Sequence, residues 1–287
     1  MDGIIIINKP KNSTSHDVVR KVKKISNEKV GHTGTLDPMA TGVLSLLIGK
    51  ATLCSKYLIN HDKKYEVTLQ LGIKTDTADL EGSILEEKNV LEEVLEKETV
   101  LKALNSFIGK QEQIPPMYSA IKVNGKKLYE YARKGQKVEI KPRKIEIYEI
   151  KLLEINKSTK EIKFQVDCSK GTYIRSLCED IATKLNTIGT MSELKRLQVG
   201  NFKIEDAIQI EDVEKYLDKK LITIESLFAE EKQITLDNKK LQLFLNGVML
   251  TCDEQDGIYR IYNNDIFVGI GIVQKKLLKR DIILGKG

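Results

Sequence analysis

Gly31-His32-Thr33-Gly34-Thr35-Leu36-Asp37-Pro38-Met39-Ala40-Thr41-Gly42 sets one acid among three glycines, in a segment with no helical or strand period of its own. An Asp-Pro step in such a loop is, taken alone, ordinary turn chemistry. Its flanks are regular. Upstream, Gly3–Asn8 reads as a short buried strand stopped by Lys9-Pro10. Thr14-Ser15-His16-Asp17 then opens a helix in the manner of a capping box, with Val18, Val22 and Ile25 at helical spacing. Downstream, Val43–Ile48 is an apolar strand, and Gly49 leads into a helix near Ala51–Leu58. The loop of Asp37 therefore lies between a helix and a strand.

Farther along, Tyr65, Val67, Leu69 and Leu71 alternate with Glu66, Thr68 and Gln70, the pattern of a half-buried strand. Asp76–Gly82 is turn-like, and the spacing of Leu101, Leu104 and Ile108 predicts a helix over Lys97–Ile108. Two strands follow near Ile145–Ile155 and Ile162–Cys168. The turn Ser169-Lys170-Gly171 opens a helix striped by Ile174, Leu177, Ile181 and Leu185. After a helical stretch around Glu211–Leu217, the character changes near Gln233 to short strands and glycines, which predicts a small β-rich second domain over 233–287.

Positive charge is concentrated in one place. Between Glu112 and Lys144 nine Lys or Arg face three acids, a net +6 that equals the formal charge of the whole chain. Lys126, Lys127, Arg133 and Lys137 belong to this window, and Tyr118, Tyr129 and Tyr131 are interleaved with them. Cations that neutralise phosphates release counterions, so the segment suits a nucleic-acid backbone. Asn124-Gly125 predicts a turn at its centre, hence a protruding element. RNA is favoured over duplex DNA, because no helix-turn-helix or zinc-finger pattern occurs. The four cysteines form no C-x-x-C pair and the three histidines are dispersed, which predicts thiols in a reducing cytosol and no metal set. No run approaches the roughly 18 apolar residues of a membrane span.

The whole segment from Gly31 to Gly42 resembles the catalytic motif of the TruB family of tRNA pseudouridine synthases. Further stretches are similar to that family's motifs in the same order: Ile7-Asn8-Lys9-Pro10, Asp62-Lys63-Lys64-Tyr65, Thr75-Asp76-Thr77-Ala78-Asp79, Ile114–Ala120, Lys126–Ala132, Cys168–Arg175 and Leu194-Lys195-Arg196-Leu197. The tail, through Leu245-Asn246-Gly247 and Phe267–Gly271, looks like a PUA domain, a small RNA-binding β module.

The resemblance implies a mixed α/β catalytic domain over 1–232, a largely antiparallel sheet flanked by helices, with the PUA-like domain over 233–287. It implies conversion of the T-loop uridine of tRNA, position 55, to pseudouridine by an enzyme acting in the cytoplasm as a monomer, without a protein partner. The insertion at about 112–144 would close on the RNA like a thumb, with Lys126, Lys127 and Arg133 on phosphates, and the C-terminal domain would touch the acceptor end. Asp37 would be the nucleophile, or the base that removes the 2′ proton, and Arg175 the cation that keeps it charged. Tyr65 would stack on the base and serve the final proton removal, Tyr173 and Leu194 would line the uracil pocket, and His32 would hold the RNA open around the flipped base. Lys9 would stand among the substrate-binding residues, and with Pro10 it would support the Tyr65 loop. The reaction breaks N1–C1′ and makes C5–C1′ with no net redox change, so the resemblance implies no cofactor. A guide-RNA-dependent, dyskerin-like synthase shares the Asp motif but lacks the thumb. A non-catalytic RNA-binding protein would have no use for Asp37 and Arg175 together, and a carboxylate glycosidase would need a second acid beside Asp37.

Overall fold

The computed structural model describes residues 1–136 and 138–284. Lys137, one of the cations counted in the insertion, lies outside the described residues, as do residues 285–287. The isoleucine run forms β1 (Gly3–Lys9). Thr14 caps α1 (Ser15–Ser26): its hydroxyl accepts the Asp17 N–H at 3.1 Å, and Asp17 Oδ2 accepts the Thr14 N–H at 2.9 Å. β2 (Val30–His32) pairs antiparallel with β3 (Thr41–Ile48), so the glycine-bearing loop begins as a short strand. The helix expected near Ala51–Leu58 is split. Gly49–Cys54 winds as a 3-10 turn, helped by the Thr52 hydroxyl donating to the Gly49 carbonyl at 2.8 Å, and only α2 (Ser55–Leu58) is α-helical.

β4 (Lys63–Leu71) is the alternating strand, and β5 (Ile73–Thr75) and β6 (Ile84–Glu87) form a hairpin beyond it. Then come α3 (Lys97–Asn105) and β7 (Gly109–Gln113), followed by the small hairpin β8 (Lys122–Val123) and β9 (Lys126–Lys127) and by α4 (Leu128–Ala132). The long pair β10 (Arg143–Asn156) and β11 (Glu161–Cys168) leads to α5 (Ile174–Lys184). After α5 lie β12 (Gly189–Val199), β13 (Phe202–Lys203), β14 (Ile208–Gln209), α6 (Val213–Lys220) and α7 (Ile224–Leu227).

These strands make one mixed sheet in the order β14-β1-β3-β12-β4-β11-β10-β7, with β2 on β3 and β13 on β12. All its pairings are antiparallel except β1–β14 and β3–β12. β12 is the seam: late in the chain, it joins β3 to β4, both from the first quarter. Its residues alternate poorly because two register shifts, at Met191/Glu193 and Arg196/Gln198, re-aim its side chains. That is why periodicity misses a central strand.

Packing follows the sheet halves. Tyr65, Val67, Leu69 and Leu71 of β4 join α3 and α5 in one core. In the other half both faces of β1 are buried: Ile5 and Ile7 pack with Val18 and Val22 of α1, while Ile4 and Ile6 pack on the opposite side. Each fully buried isoleucine contributes roughly 1.5–3 kcal/mol of transfer free energy. That opposite side is where the tail docks. β15 (Gln233–Thr235), α8 (Asn238–Leu245), β16 (Leu250–Thr251), β17 (Gly257–Asn263), β18 (Ile266–Gln274) and β19 (Leu277–Ile283) form a five-stranded sheet with one helix. Ile270 and Ile282 share a core with Ile4, Ile6 and Leu47. Asp281 accepts hydrogen bonds from Lys56 and, at 2.5 Å, from the Tyr57 hydroxyl.

Candidate active site

Asp37 sits where the two halves of the sheet meet, in the loop that enters β3 beside β12. The loop is braced at nearly every residue. Gly42, at φ +103°, lies so close to β12 that an added Cβ would stand 2.2 Å from the Arg196 carbonyl oxygen. From there the Arg196 side chain reaches back, its Nε donating to Val43 O at 2.7 Å, Nη2 to Gly34 O at 3.0 Å and Nη1 to Thr35 O at 3.4 Å. The Ser15 hydroxyl, at the first turn of α1, accepts from Leu36 N at 2.9 Å and donates to Leu36 O at 3.2 Å. Lys9 closes the far side, donating to Pro38 O at 3.1 Å, Pro10 O at 2.9 Å and Ser13 O at 2.5 Å.

Lys9 is fully buried, and all three ammonium protons are taken by backbone carbonyls. The sequence reading gave it to substrate and to the Tyr65 loop. It instead anchors the loop of Asp37, because the end of β1 runs under Pro38. Burial pushes its ammonium down to about 8, with the Asp37 charge opposing that shift. Arg196 and Ser15 lie in segments the sequence marks, but nothing in the sequence shows that they brace the loop of Asp37. A buried arginine inside a strand looks, in one dimension, like an exposed polar position.

Arg175, the second residue of α5, faces Asp37 across the seam. Its Nε lies 3.1 Å from Asp37 Oδ2 and its Nη2 3.3 Å from Asp37 Oδ1, a two-point pairing. Both terminal nitrogens have further partners. Nη1 donates to Thr77 O at 3.0 Å and lies 3.5 Å from Asp79 Oδ2, and Nη2 donates to Tyr118 O at 2.9 Å. The guanidinium is nearly buried, whereas the Asp37 side chain keeps 34% of its exposure and thus opens to the cleft. Burial pushes the Asp37 carboxyl above its ordinary range; the Arg175 cation pulls it back and Asp79 pushes it up again. Asp79 is held by the Thr77 hydroxyl at 2.6 Å and by the Glu81 N–H at 3.1 Å. Its neighbour Ala78 takes φ +62°, a strained conformation for a residue with a side chain. A second acid does stand near Asp37, which the sequence segment alone did not supply.

Tyr65 is buried on β4 directly opposite Arg196 of β12, and Leu194 is opposite Val67. Burial raises the Tyr65 phenol, and the Arg196 cation beside it opposes that. Leu36, Met39, Tyr65, Ile174 and Leu194 lie in one apolar cluster, so the side of the cleft next to Asp37 is greasy. Tyr173 caps the entry to α5, gripped by the Gln113 amide, which accepts its N–H at 2.8 Å and donates to its carbonyl at 3.0 Å. His32 ends β2, half-buried, with Nδ1 shielded from solvent and no protein hydrogen-bond partner among the described residues. Burial and the nearby Arg196 charge lower its pKa, so the imidazole is neutral at neutral pH.

Lys126, Lys127 and Arg133 stand apart from this cleft, on β9 and after α4. Asn124 and Gly125 both take positive φ in the hairpin turn, as the sequence predicts. The Lys127 Nζ lies 5.3 Å and the Arg133 Cζ 5.2 Å from the centre of the Tyr129 ring, placing two cations on one aromatic face system. Lys126 and Arg133 are exposed and Lys127 is half-exposed. Among the described residues no cluster of three or more His, Cys, Asp or Glu is placed to hold a metal ion, and no helix is long and apolar enough to cross a membrane.

The sequence model of the TruB family pseudouridylate synthase N-terminal domain matches residues 20–174, and that of the tRNA pseudouridylate synthase B C-terminal domain matches residues 175–238. A Clostridium kluyveri protein named tRNA pseudouridine synthase B is 46% identical, over 95% of this chain and 96% of its own. A Francisella philomiragia protein of the same name is 41% identical, over 100% of this chain and 98% of its own. Among solved structures, an H/ACA RNP bound to a substrate RNA containing 2′-deoxyuridine superposes with a TM-score of 0.70 at 23% identity, covering 99% of this chain and 85% of that one. A Cbf5-Nop10-Gar1 complex gives 0.70 at 25% identity, with 99% and 84% covered. The large mixed sheet with its flanking helices is the pseudouridine synthase fold. Matched by the family's own model over more than half its length and by relatives along nearly all of it, the chain belongs to the TruB family of pseudouridylate synthases.

Proposed function

We propose that this enzyme converts the T-loop uridine of tRNA, position 55, to pseudouridine, in the cytoplasm and without a protein partner or cofactor. The observation that carries the reading is the two-point Arg175–Asp37 pair, buried on the cation side and open on the carboxylate side. The reaction breaks N1–C1′, forms C5–C1′, removes the C5 proton and returns one to N1; atoms and electrons balance with no added reagent. Asp37 drives the glycosidic rearrangement as a carboxylate, so its charge has to survive burial, and Arg175 supplies the opposing field. The uridine reaches this depth only if flipped out of the RNA stack, which costs a few kcal/mol. Tyr65 and Leu194 then receive the base on the apolar wall, and Tyr173 lines its rim. A neutral His32 fills the space the base leaves. Tyr65 also serves the removal of the C5 proton.

The thumb, about 112–144, grips phosphates through Lys126, Lys127 and Arg133. The relatives named tRNA pseudouridine synthase B support tRNA as the substrate, and presence of the thumb segment favours this over a guide-RNA-dependent activity. We assign residues 1–232 to the catalytic domain and 233–287 to a PUA-like domain that touches the acceptor end. Tritium release from tRNA labelled at uracil C5 tests the proposal. The protein alone should release one tritium per tRNA, and a transcript with cytidine at position 55 should release none. No release from any unmodified tRNA would overturn the reading.

A further inference from the structure

The Arg175 guanidinium donates hydrogen bonds to Asp37 Oδ1, to the Thr77 carbonyl and, at 2.9 Å, to the carbonyl of Tyr118, while its Nε and Nη1 lie at ion-pair distance from Asp37 Oδ2 and Asp79 Oδ2. Four of these partners belong to the catalytic loop and the 75–82 turn. Tyr118 does not: it stands at the root of the basic insertion.

The root is wired to the cationic tip by short steps. Ser119, buried next to Tyr118, offers its carbonyl to the Tyr129 N–H at 3.1 Å. Ile121 O accepts the Leu128 N–H at 2.8 Å, and Leu128 is fully buried, so α4 cannot shift without carrying 118–121 with it. The Tyr118 hydroxyl adds a second tie at 3.3 Å to Asp76, in the turn that presents Asp79. Tyr129, whose N–H meets Ser119, is also the ring that Lys127 and Arg133 flank.

We propose that Tyr118–Ser119 is a positioning element through which RNA held at Lys127, Tyr129 and Arg133 sets the Arg175 guanidinium on Asp37. This rests on the pseudouridine-forming reading above. A phosphate that draws Arg133 and Lys127 toward it moves the Tyr129 backbone, the Ser119 carbonyl and then the one guanidinium partner that is not part of the catalytic shell. The consequence is specificity in the rate: an RNA that binds without filling the thumb reacts slowly even when all of it is bound. A thumb that only grips would act on affinity alone.

The test is a double-mutant cycle on single-turnover pseudouridine formation with enzyme saturating over tRNA, affinity being measured separately by filter binding. Arg133→Ala should weaken binding and also lower the saturated rate by about tenfold, the scale of one misaligned charged hydrogen bond. In an Arg175→Lys background, which has lost the fork, the same change should lower the saturated rate less than about twofold. Should Arg175→Lys fail to fold, Asp79→Asn, which loosens the guanidinium from its other side, serves as the background with the same sub-additive result expected. A saturated rate for Arg133→Ala equal to wild type, or an undiminished loss in those backgrounds, overturns the coupling while leaving the enzymatic reading intact. A wild-type protein that forms no pseudouridine at all overturns both.

Discussion

Asp37 and Asp79 share one guanidinium. Arg175 Nε lies 3.1 Å from Asp37 Oδ2 while its Nη1 lies 3.5 Å from Asp79 Oδ2, and the Asp79 side chain is 7% exposed against 34% for Asp37. One cation thus balances two carboxylates, of which only the first faces the cleft. Burial pushes the Asp37 carboxyl upward, the Arg175 cation opposes that, and the Asp79 charge adds a smaller upward push. A carboxylate less than fully stabilised by its partner is the more reactive one.

Replacing that carboxylate removes the chemistry but little of the surface. Asp37→Asn should abolish turnover, by at least about 10³-fold, while tRNA affinity stays within about threefold, since phosphate contacts dominate binding. Single-turnover assays and filter binding read the two quantities. Near-normal turnover in the mutant would remove Asp37 from its assigned role.

The pH profile should have two limbs with separate origins. Asp37 must be ionised, and burial raises its carboxyl, so the saturated rate should fall with acid at a pH above the ordinary carboxylate value of about 4. Asp79→Asn removes the like charge, which should move that limb to lower pH. On the alkaline side Lys9, held down at about 8, loses a proton as pH rises through that value, leaving two hydrogens for three carbonyls. The anchor on Pro38 slackens and the rate declines. An alkaline limb that persists unchanged in Lys9→Met would assign it to another group.

Gly42→Ala should destabilise the protein by about 2–4 kcal/mol, read as a lowered urea midpoint. A methyl there meets the Arg196 carbonyl at 2.2 Å and a φ of +103° that side chains rarely adopt. Stability within about 0.5 kcal/mol of wild type would mean that β3 and β12 can separate at little cost.

Changing Lys126, Lys127 and Arg133 together to Ala should flatten the salt dependence of tRNA binding by about two to three units of log–log slope. An unaltered slope would take those three residues off the phosphate backbone.

A chain ending at 232 should aggregate rather than fold as a free catalytic domain. Ile270 and Ile282 pack in one core with Ile4, Ile6 and Leu47, so truncation bares an apolar face on the central sheet. A monodisperse, cooperatively melting 1–232 fragment would contradict this.

The sequence carried a good share of the architecture where local signals are strong. The capping box at Thr14, the alternation of Tyr65–Leu71 and the stripe of α5 each point to the element that forms. The same signals fail for β12, whose two bulges break alternation, and for the 3-10 turn at Gly49, where a side-chain bond tightens the winding. At the site, Asp37 and Arg175 were legible through resemblance to the family. Arg196, Ser15 and the true station of Lys9 were not, because what each does is hold a backbone carbonyl or amide contributed by another element.

By itself, then, the sequence determined where the positive charge is gathered and, through resemblance to the family, singled out Asp37 and Arg175 as candidates, since residue type and order are one-dimensional facts. Only the tertiary structure decided what surrounds Asp37: a second carboxylate 42 positions away, an arginine 138 positions away and the carbonyl of Tyr118, from the basic insertion, on the same guanidinium. Electrostatic fields and hydrogen bonds fall off over ångströms of space. Their partners are chosen by the β3–β12 seam and not by neighbourhood along the chain.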